Sequence, residues 1–194
     1  MADYDNRTAL VLVDVQNDFA DPRGSLYVDE GEDVVPIANR EIDRALEAGA
    51  MVVYTQDWHP EVTPHFEKDG GVWPVHCVQE TWGAQLHPHL RIEGQVIRKG
   101  DRGEDGYSGF TVRDPSTGRE EATGLDSLLR EKGIERVVVV GLATDYCVKE
   151  TAVDAARLGF GTTLLREGVR AVNLRAGDGE RALEDVRRAG AHVE

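Results

Sequence analysis

The chain has 194 residues, enough for one domain with a full hydrophobic core, and its 40% hydrophobic and 30% charged residues are ordinary for a soluble globular protein. A formal net charge of −14 repels phosphate backbones and anionic lipid, which argues against nucleic acid or a membrane surface as a partner. No apolar run approaches the roughly 20 residues that span a bilayer, and the acidic, polar segment Met1–Arg7 lacks the pattern of a secretory signal, so the expected compartment is the cytoplasm.

In chain order, Thr8–Val13 reads as a buried strand ending at Asp14. Ala38, Ile42, Ala45 and Leu46 then keep helical spacing. Ala50–Thr55 is a second strand, just before Asp57, and Gln95–Arg98 a weaker third, before Lys99. Leu125, Leu128 and Leu129 mark another helix. Arg136–Val140 is a strongly β-branched fourth strand. Val148, Ala152 and Ala155 predict a helix, Gly161–Leu165 a fifth strand, Ala182, Val186 and Ala189 a last helix, and Ala191–Val193 a short sixth strand. Gly49, Gly133, Gly159 and Gly190 stand where left-handed helix caps are needed. Apolar runs without alternation mark strands covered on both faces. The predicted fold is a three-layer α/β/α sandwich around a mostly parallel six-stranded sheet, forming a single domain over residues 1–194. Two long stretches break the rhythm, 57–95 and 101–124, and long irregular insertions tend to carry function.

Ligands of open α/β sheets bind beyond the carboxyl ends of the strands. Asp14, Asp57, Lys99 and Cys147 all fall at or just past such ends, so parallel strands bring them to one edge. Thr144 or Asp145 can cap the following helix, which puts Cys147 in its first turn, where free N–H groups and Lys99 favour a thiolate and can hold an oxyanion. Asp14 opposes that charge but can take the thiol proton as general base. In the first insertion Asp57 and His59, then His65 and His76, can fold around one ion, and imidazole with carboxylate suits Zn, Fe or Mn rather than Ca or Mg. His87, His89 and His192 lack such a context and read as surface residues. Phe19, Trp58, Trp73 and Tyr107 are aromatics able to hold a flat ring. The two cysteines, Cys77 and Cys147, read as free thiols with different roles, Cys77 being structural.

Together these residues resemble the nicotinamidases (pyrazinamidases) of the isochorismatase-like cysteine hydrolases, over nearly the whole chain. The matching motifs are Leu12–Phe19, Gln56–Pro60, Trp73–Val78, Lys99-Gly100, Tyr107–Phe110 and Gly141–Val148. The Asp/His set is the more specific mark, because metal-free members of the superfamily generally lack it. The resemblance implies that Cys147 is the nucleophile, Asp14 the general base and acid, and Lys99 the group that polarises both. It implies an oxyanion hole from the Ala143 and Cys147 amides, and a cis peptide at Leu142–Ala143. It implies one divalent transition metal on Asp57, His59, His65 and His76, and an aromatic ring flanked by Phe19 and Trp73 with Tyr107 nearby. The implied activity is hydrolysis of nicotinamide, and of pyrazinamide, to the acid and ammonia within NAD salvage. The partner is then a small aromatic amide, with room for a homo-oligomer. A metal-free amidase or isochorismatase of the same superfamily is one alternative. A receiver-type signalling domain is another; it accounts for Asp14, Asp57 and Lys99 but for neither Cys147 nor the histidines. A non-catalytic metal-binding protein is a third.

Overall fold

The computed structural model describes residues 2–194. The elements are β1 (Thr8–Val13), a single turn α1 (Asn17–Ala20), α2 (Val34–Glu47), β2 (Met51–Asp57), β3 (Gln95–Lys99), β4 (Thr111–Arg113), β5 (Glu120–Ala122), α3 (Leu125–Glu131), β6 (Arg136–Leu142), α4 (Lys149–Arg157), β7 (Gly161–Arg170), α5 (Asp178–Arg188) and β8 (His192–Val193). Six strands form one parallel sheet in the order β3-β2-β1-β6-β7-β8. Helices flank both faces, and the expected three-layer fold is what the chain adopts.

The sheet's two faces bury alternate residues of the same strands, as the strand period requires. Leu10, Leu12, Val138 and Val140 pack with Ala38, Ile42 and Ala45 of α2. Ala9, Val11, Val13, Val137 and Val139 pack with Leu125 and Leu129 of α3, Ala152 of α4, and Leu183 and Val186 of α5. Both residue sets being apolar, β1 and β6 read as unbroken apolar runs. Each fully buried Leu or Ile contributes on the order of 2–3 kcal/mol. The four cap glycines all take left-handed backbone angles, as their positions required.

Several boundaries differ from the sequence reading. β2 runs on to Asp57 and β6 to Leu142, so Asp57 is the last residue of its strand rather than the next one. β7 is ten residues long and continues through the polar segment Arg166–Arg170, which hydropathy alone does not mark as strand. The 101–124 insertion contains the antiparallel pair β4–β5, whose three-residue strands are too short to show a period.

The chain builds outward from β1 through β2 to β3, then returns beside β1 as β6 and builds the other way. The switch point therefore lies between the ends of β1 and β6, where such sheets open a crevice. Gly141 makes the approach there possible. A Cβ at Gly141 would stand 2.1 Å from the Val13 carbonyl oxygen, and its φ of +134° is one that other residues rarely adopt. Asp14 and Ala143 leave the two strands immediately beyond it.

Candidate active site and metal centre

Asp14 leaves β1 with φ of +49°, a left-handed angle uncommon outside glycine. Its side chain is wholly buried. The Thr55 hydroxyl donates to Asp14 Oδ1 at 2.6 Å, which fixes one carboxylate oxygen. The other, Oδ2, lies 2.9 Å from Lys99 Nζ. That ammonium also donates to Asp57 Oδ1 and stands 3.5 Å from Cys147 Sγ. The register that pairs Asp57 with Lys99 puts the two side by side at the ends of β2 and β3. Sulfur, carboxylate and amine thus meet at the sheet edge. Ligand atoms of Asp14, Asp57 and Cys147 lie within 4.8 Å of one another, and the cation among them is Lys99 itself.

Two expectations about Cys147 need correction. Neither Thr144 nor Asp145 caps a helix there. Residues Thr144–Val148 form one π-helical turn preceded by Ala143 in extended backbone, with no side-chain cap, and α4 continues from it. Asp145 instead accepts the Val172 and Asn173 N–H groups at 2.9 and 2.8 Å, fastening the segment after β7. Nor is the thiol predisposed to ionise. Burial pushes the Cys147 thiol well above its ordinary range, Asp14 and Asp57 add to that, and Lys99 only partly opposes it. Burial likewise raises the Asp14 carboxyl, against the Lys99 charge. Lys99 is desolvated, yet its anionic neighbours hold its proton more firmly than usual. The resting pair is therefore a protonated sulfur beside a carboxylate with heightened proton affinity, which suits transfer between them. The Leu142–Ala143 peptide is cis, as the resemblance implied.

The histidines converge on the far side of Asp57. Ligand nitrogens of His59, His65 and His76 lie within 4.8 Å of one another, all buried. Asp57 Oδ2 stands 3.6 Å from His59 Nε2 and 3.9 Å from His76 Nε2. Backbone bridges bring these distant residues together. His59 N–H donates to Cys77 O, and Gln79 N–H to His59 O, so the segment carrying His76 runs beside His59. Glu67 N–H donates to Trp73 O, and Trp73 N–H to His65 O, which closes the loop between His65 and Trp73. Gly100 admits the His59 ring, because a Cβ there would lie 2.7 Å from it.

These residues suit a cation. Both ring nitrogens of His59 are buried without a hydrogen-bond partner, an arrangement that costs about 1–3 kcal/mol for each group. His65 Nδ1 meets Asp105 and His76 Nδ1 meets Pro74 O, each at 2.8 Å, which leaves the Nε2 of each ring for coordination. Burial pushes His76 down to about 4, so it stays neutral near pH 7 as a ligand must. Asp57 stays ionised: burial opposes this, but Lys99 and His59 hold its carboxyl far below the usual range.

A mostly apolar cavity joins the two clusters. Phe19, Trp73, Tyr107 and Tyr146 line it, together with Ala143 and Cys147 from the sheet-edge cluster and Asp57, His65 and His76 from the histidine cluster. The Trp73 indole donates to the Tyr107 hydroxyl at 3.0 Å and meets the Tyr146 ring edge-on at 4.9 Å. All three aromatics expected at the substrate therefore line it. Trp58 instead lies under the Arg98 guanidinium, 3.9 Å from ring centroid. His87, His89 and His192 stand apart from the cluster, and Cys77 is a fully buried free thiol.

Sequence reasoning missed Thr55, Gln16, Asp105 and Tyr146. Gln16 is buried and clasps Asp57 both ways, donating to its carbonyl and accepting its N–H, each at 2.8 Å. A glutamine three residues past the end of β1, between Val15 and Asn17, is the available signal.

Comparison with known proteins gives a consistent result. The isochorismatase domain model matches residues 8–194. A nicotinamidase of Escherichia coli is 41% identical, with 94% of this chain and 92% of that protein covered. A pyrazinamidase of Pyrococcus horikoshii, solved in complex with zinc, superposes with a TM-score of 0.86 at 40% identity, covering 97% of this chain and 98% of that one. PnC1 of L. infantum, solved in complex with nicotinate, also gives 0.86, at 37% identity over 97% and 92% of the two chains. Among the described residues no helix is long and apolar enough to cross a membrane.

Proposed function

The chain belongs to the isochorismatase family, and from that premise we propose that it is a nicotinamidase, hydrolysing nicotinamide to nicotinate and ammonia in NAD salvage. The observation that carries this reading is the contact of one ammonium, that of Lys99, with Cys147, Asp14 and Asp57, the last of which also faces His59 and His76 of the histidine cluster. A carboxamide carbon at the sulfur and an aromatic ring toward the histidines would fill the cavity between them. Pyrazinamide has a six-membered aromatic ring of the same size, with a ring nitrogen meta to its carboxamide as in nicotinamide, and is a second substrate. Residues 1–194 act as one catalytic domain, with the ligands carried by the 57–95 insertion.

Asp14 takes the Cys147 proton as the sulfur attacks the carboxamide carbon, and the carbonyl electrons move onto oxygen. The Ala143 and Cys147 amides receive that oxygen at the start of the π-turn, where N–H groups have no preceding turn to bond. The C–N bond then breaks and Asp14 gives its proton to the departing nitrogen, leaving a thioester and ammonia. Water next gives a proton to Asp14 and its oxygen to the carbonyl carbon. The C–S bond breaks, sulfur recovers the proton, and the acid leaves. Lys99 holds the Asp14 carboxylate beside the sulfur throughout, and Thr55 fixes its other oxygen. Phe19, Trp73 and Tyr107 orient the ring. Asp57, His59, His65 and His76 would hold one divalent transition ion, Zn, Fe or Mn by donor type, which supplies a Lewis acid for a ring nitrogen when bound.

The test is ammonia and acid release from a panel of aromatic and aliphatic amides, with metal analysis of the same sample. Equal amounts of nicotinate and ammonia from nicotinamide, turnover of pyrazinamide, and inhibition by a chelator are expected. Metal-loaded protein that leaves nicotinamide intact would overturn the proposal.

A further inference from the structure

Asp105 stands 40 residues from His65 in sequence, yet its Oδ1 lies 2.8 Å from His65 Nδ1. The same oxygen accepts the Gly106 N–H at 2.8 Å, which fixes the carboxylate's direction. Its backbone is bonded both ways to Arg113: Asp105 N–H donates to Arg113 O at 2.7 Å, and Arg113 N–H returns to Asp105 O. Arg113 ends β4, which pairs with β5. A carboxylate that is 47% exposed is thus mounted on a hairpin rather than on a free loop.

The bond has a chemical consequence for His65. An imidazole whose Nδ1–H donates to a carboxylate presents Nε2 as its lone-pair nitrogen, with the ring held in one orientation. His65 also stacks on His59, with centroids 4.7 Å apart and planes 20° from parallel, so a turned His65 ring would disturb its neighbour. The hydrogen bond in turn holds the Asp105 carboxyl below its ordinary range.

We infer that Asp105 is a positioning residue of the metal centre, setting the tautomer and the orientation of His65 while the β4–β5 hairpin holds Asp105 in place. This rests on the reading of His65 as a ligand. It gives the second insertion a role in metal retention, although none of its residues belongs to the ligand set.

The test uses metal-depleted full-length protein titrated with Zn²⁺ in competition with a chromophoric chelator. Asp105→Ala is expected to weaken Zn²⁺ binding by about 10- to 100-fold, the usual effect of removing such an outer partner. Asp105→Asn keeps an acceptor oxygen and recovers part of that loss. Asp101→Asn removes the same charge from an exposed side chain of the same insertion and should leave affinity near wild type. If Asp105→Ala does not fold, Asp105→Asn carries the test: its affinity should fall between those of wild type and His65→Ala. Asp105 variants indistinguishable from Asp101→Asn would overturn the inference. Wild-type affinity in His65→Ala would overturn the ligand reading with it, whereas a weakened His65→Ala beside unaffected Asp105 variants would overturn only the role of Asp105.

Discussion

The two halves of the site are built in different ways. Asp14, Lys99 and Cys147 stand at the ends of, or one turn beyond, β1, β3 and β6 of one parallel sheet, so the sheet's register sets their spacing. His59, His65 and His76 sit on irregular chain, where isolated backbone bridges and Nδ1 contacts set theirs. A register is the sum of many ladder bonds and resists a single change. A loop held by a few contacts does not, and it gains rigidity when an ion ties its side chains together. The sheet edge should therefore keep its geometry without metal, whereas the histidine cluster should depend on it.

The largest effect is expected on the sheet side. Asp14→Asn keeps the shape but removes the proton acceptor, and kcat on nicotinamide is expected to fall by about 10²–10⁴-fold with metal content unchanged. Metal loss in that variant would show that the halves are not independent. On the loop side, His59→Ala removes one ligand. Metal analysis of the purified variant should show a substoichiometric ion, while alkylation of Cys147 by iodoacetamide proceeds at a wild-type rate. Slower alkylation would mean that the sulfur's surroundings rest on the cluster. A smaller effect is expected at Thr55→Val, which deletes the 2.6 Å bond to Asp14. The loss of one neutral-to-charged hydrogen bond, about 1.5–3 kcal/mol, corresponds to roughly 10- to 150-fold in kcat at unchanged KM. The smallest is expected at Trp73→Phe, which removes the bond to Tyr107 but keeps an aromatic face. A rise of a few-fold in KM, read from initial rates, is the expected result; an equal fall in kcat would place Trp73 in the chemistry rather than in ring binding.

The same division explains what could be read from the sequence. Apolar runs ending at Asp14 and ahead of Cys147, with a weaker one before Lys99, announce parallel strands, and parallel strands leave little choice about where their ends meet. The histidine spacing suggested a cation, but nothing local reveals that Cys77-Val78-Gln79 lies beside His59 or that Asp105 meets His65. Those pairings arise from loop closure, which leaves no period in the sequence. Polar, very short strands hid the β4–β5 hairpin for the same reason. The π-turn escapes the sequence because Thr144 and Asp145 are good capping residues, yet neither caps here, and Asp145 instead holds the segment after β7. The state of the thiol depended on burial, a tertiary quantity, and burial outweighed the local charge of Lys99. The receiver-type alternative loses its ground at the same place, since Lys99 contacts the sulfur as well as both carboxylates.

A thioester route depends on the Cys147 sulfur above every other atom of the site. Ammonia release from nicotinamide should be measured for Cys147→Ala and wild type at matched metal content and matched thermal stability. A loss of turnover by on the order of 10⁴-fold or more is predicted, as for other enzymes stripped of a nucleophile. Turnover within a few-fold of wild type would contradict a thioester route and leave Cys147 a packing residue.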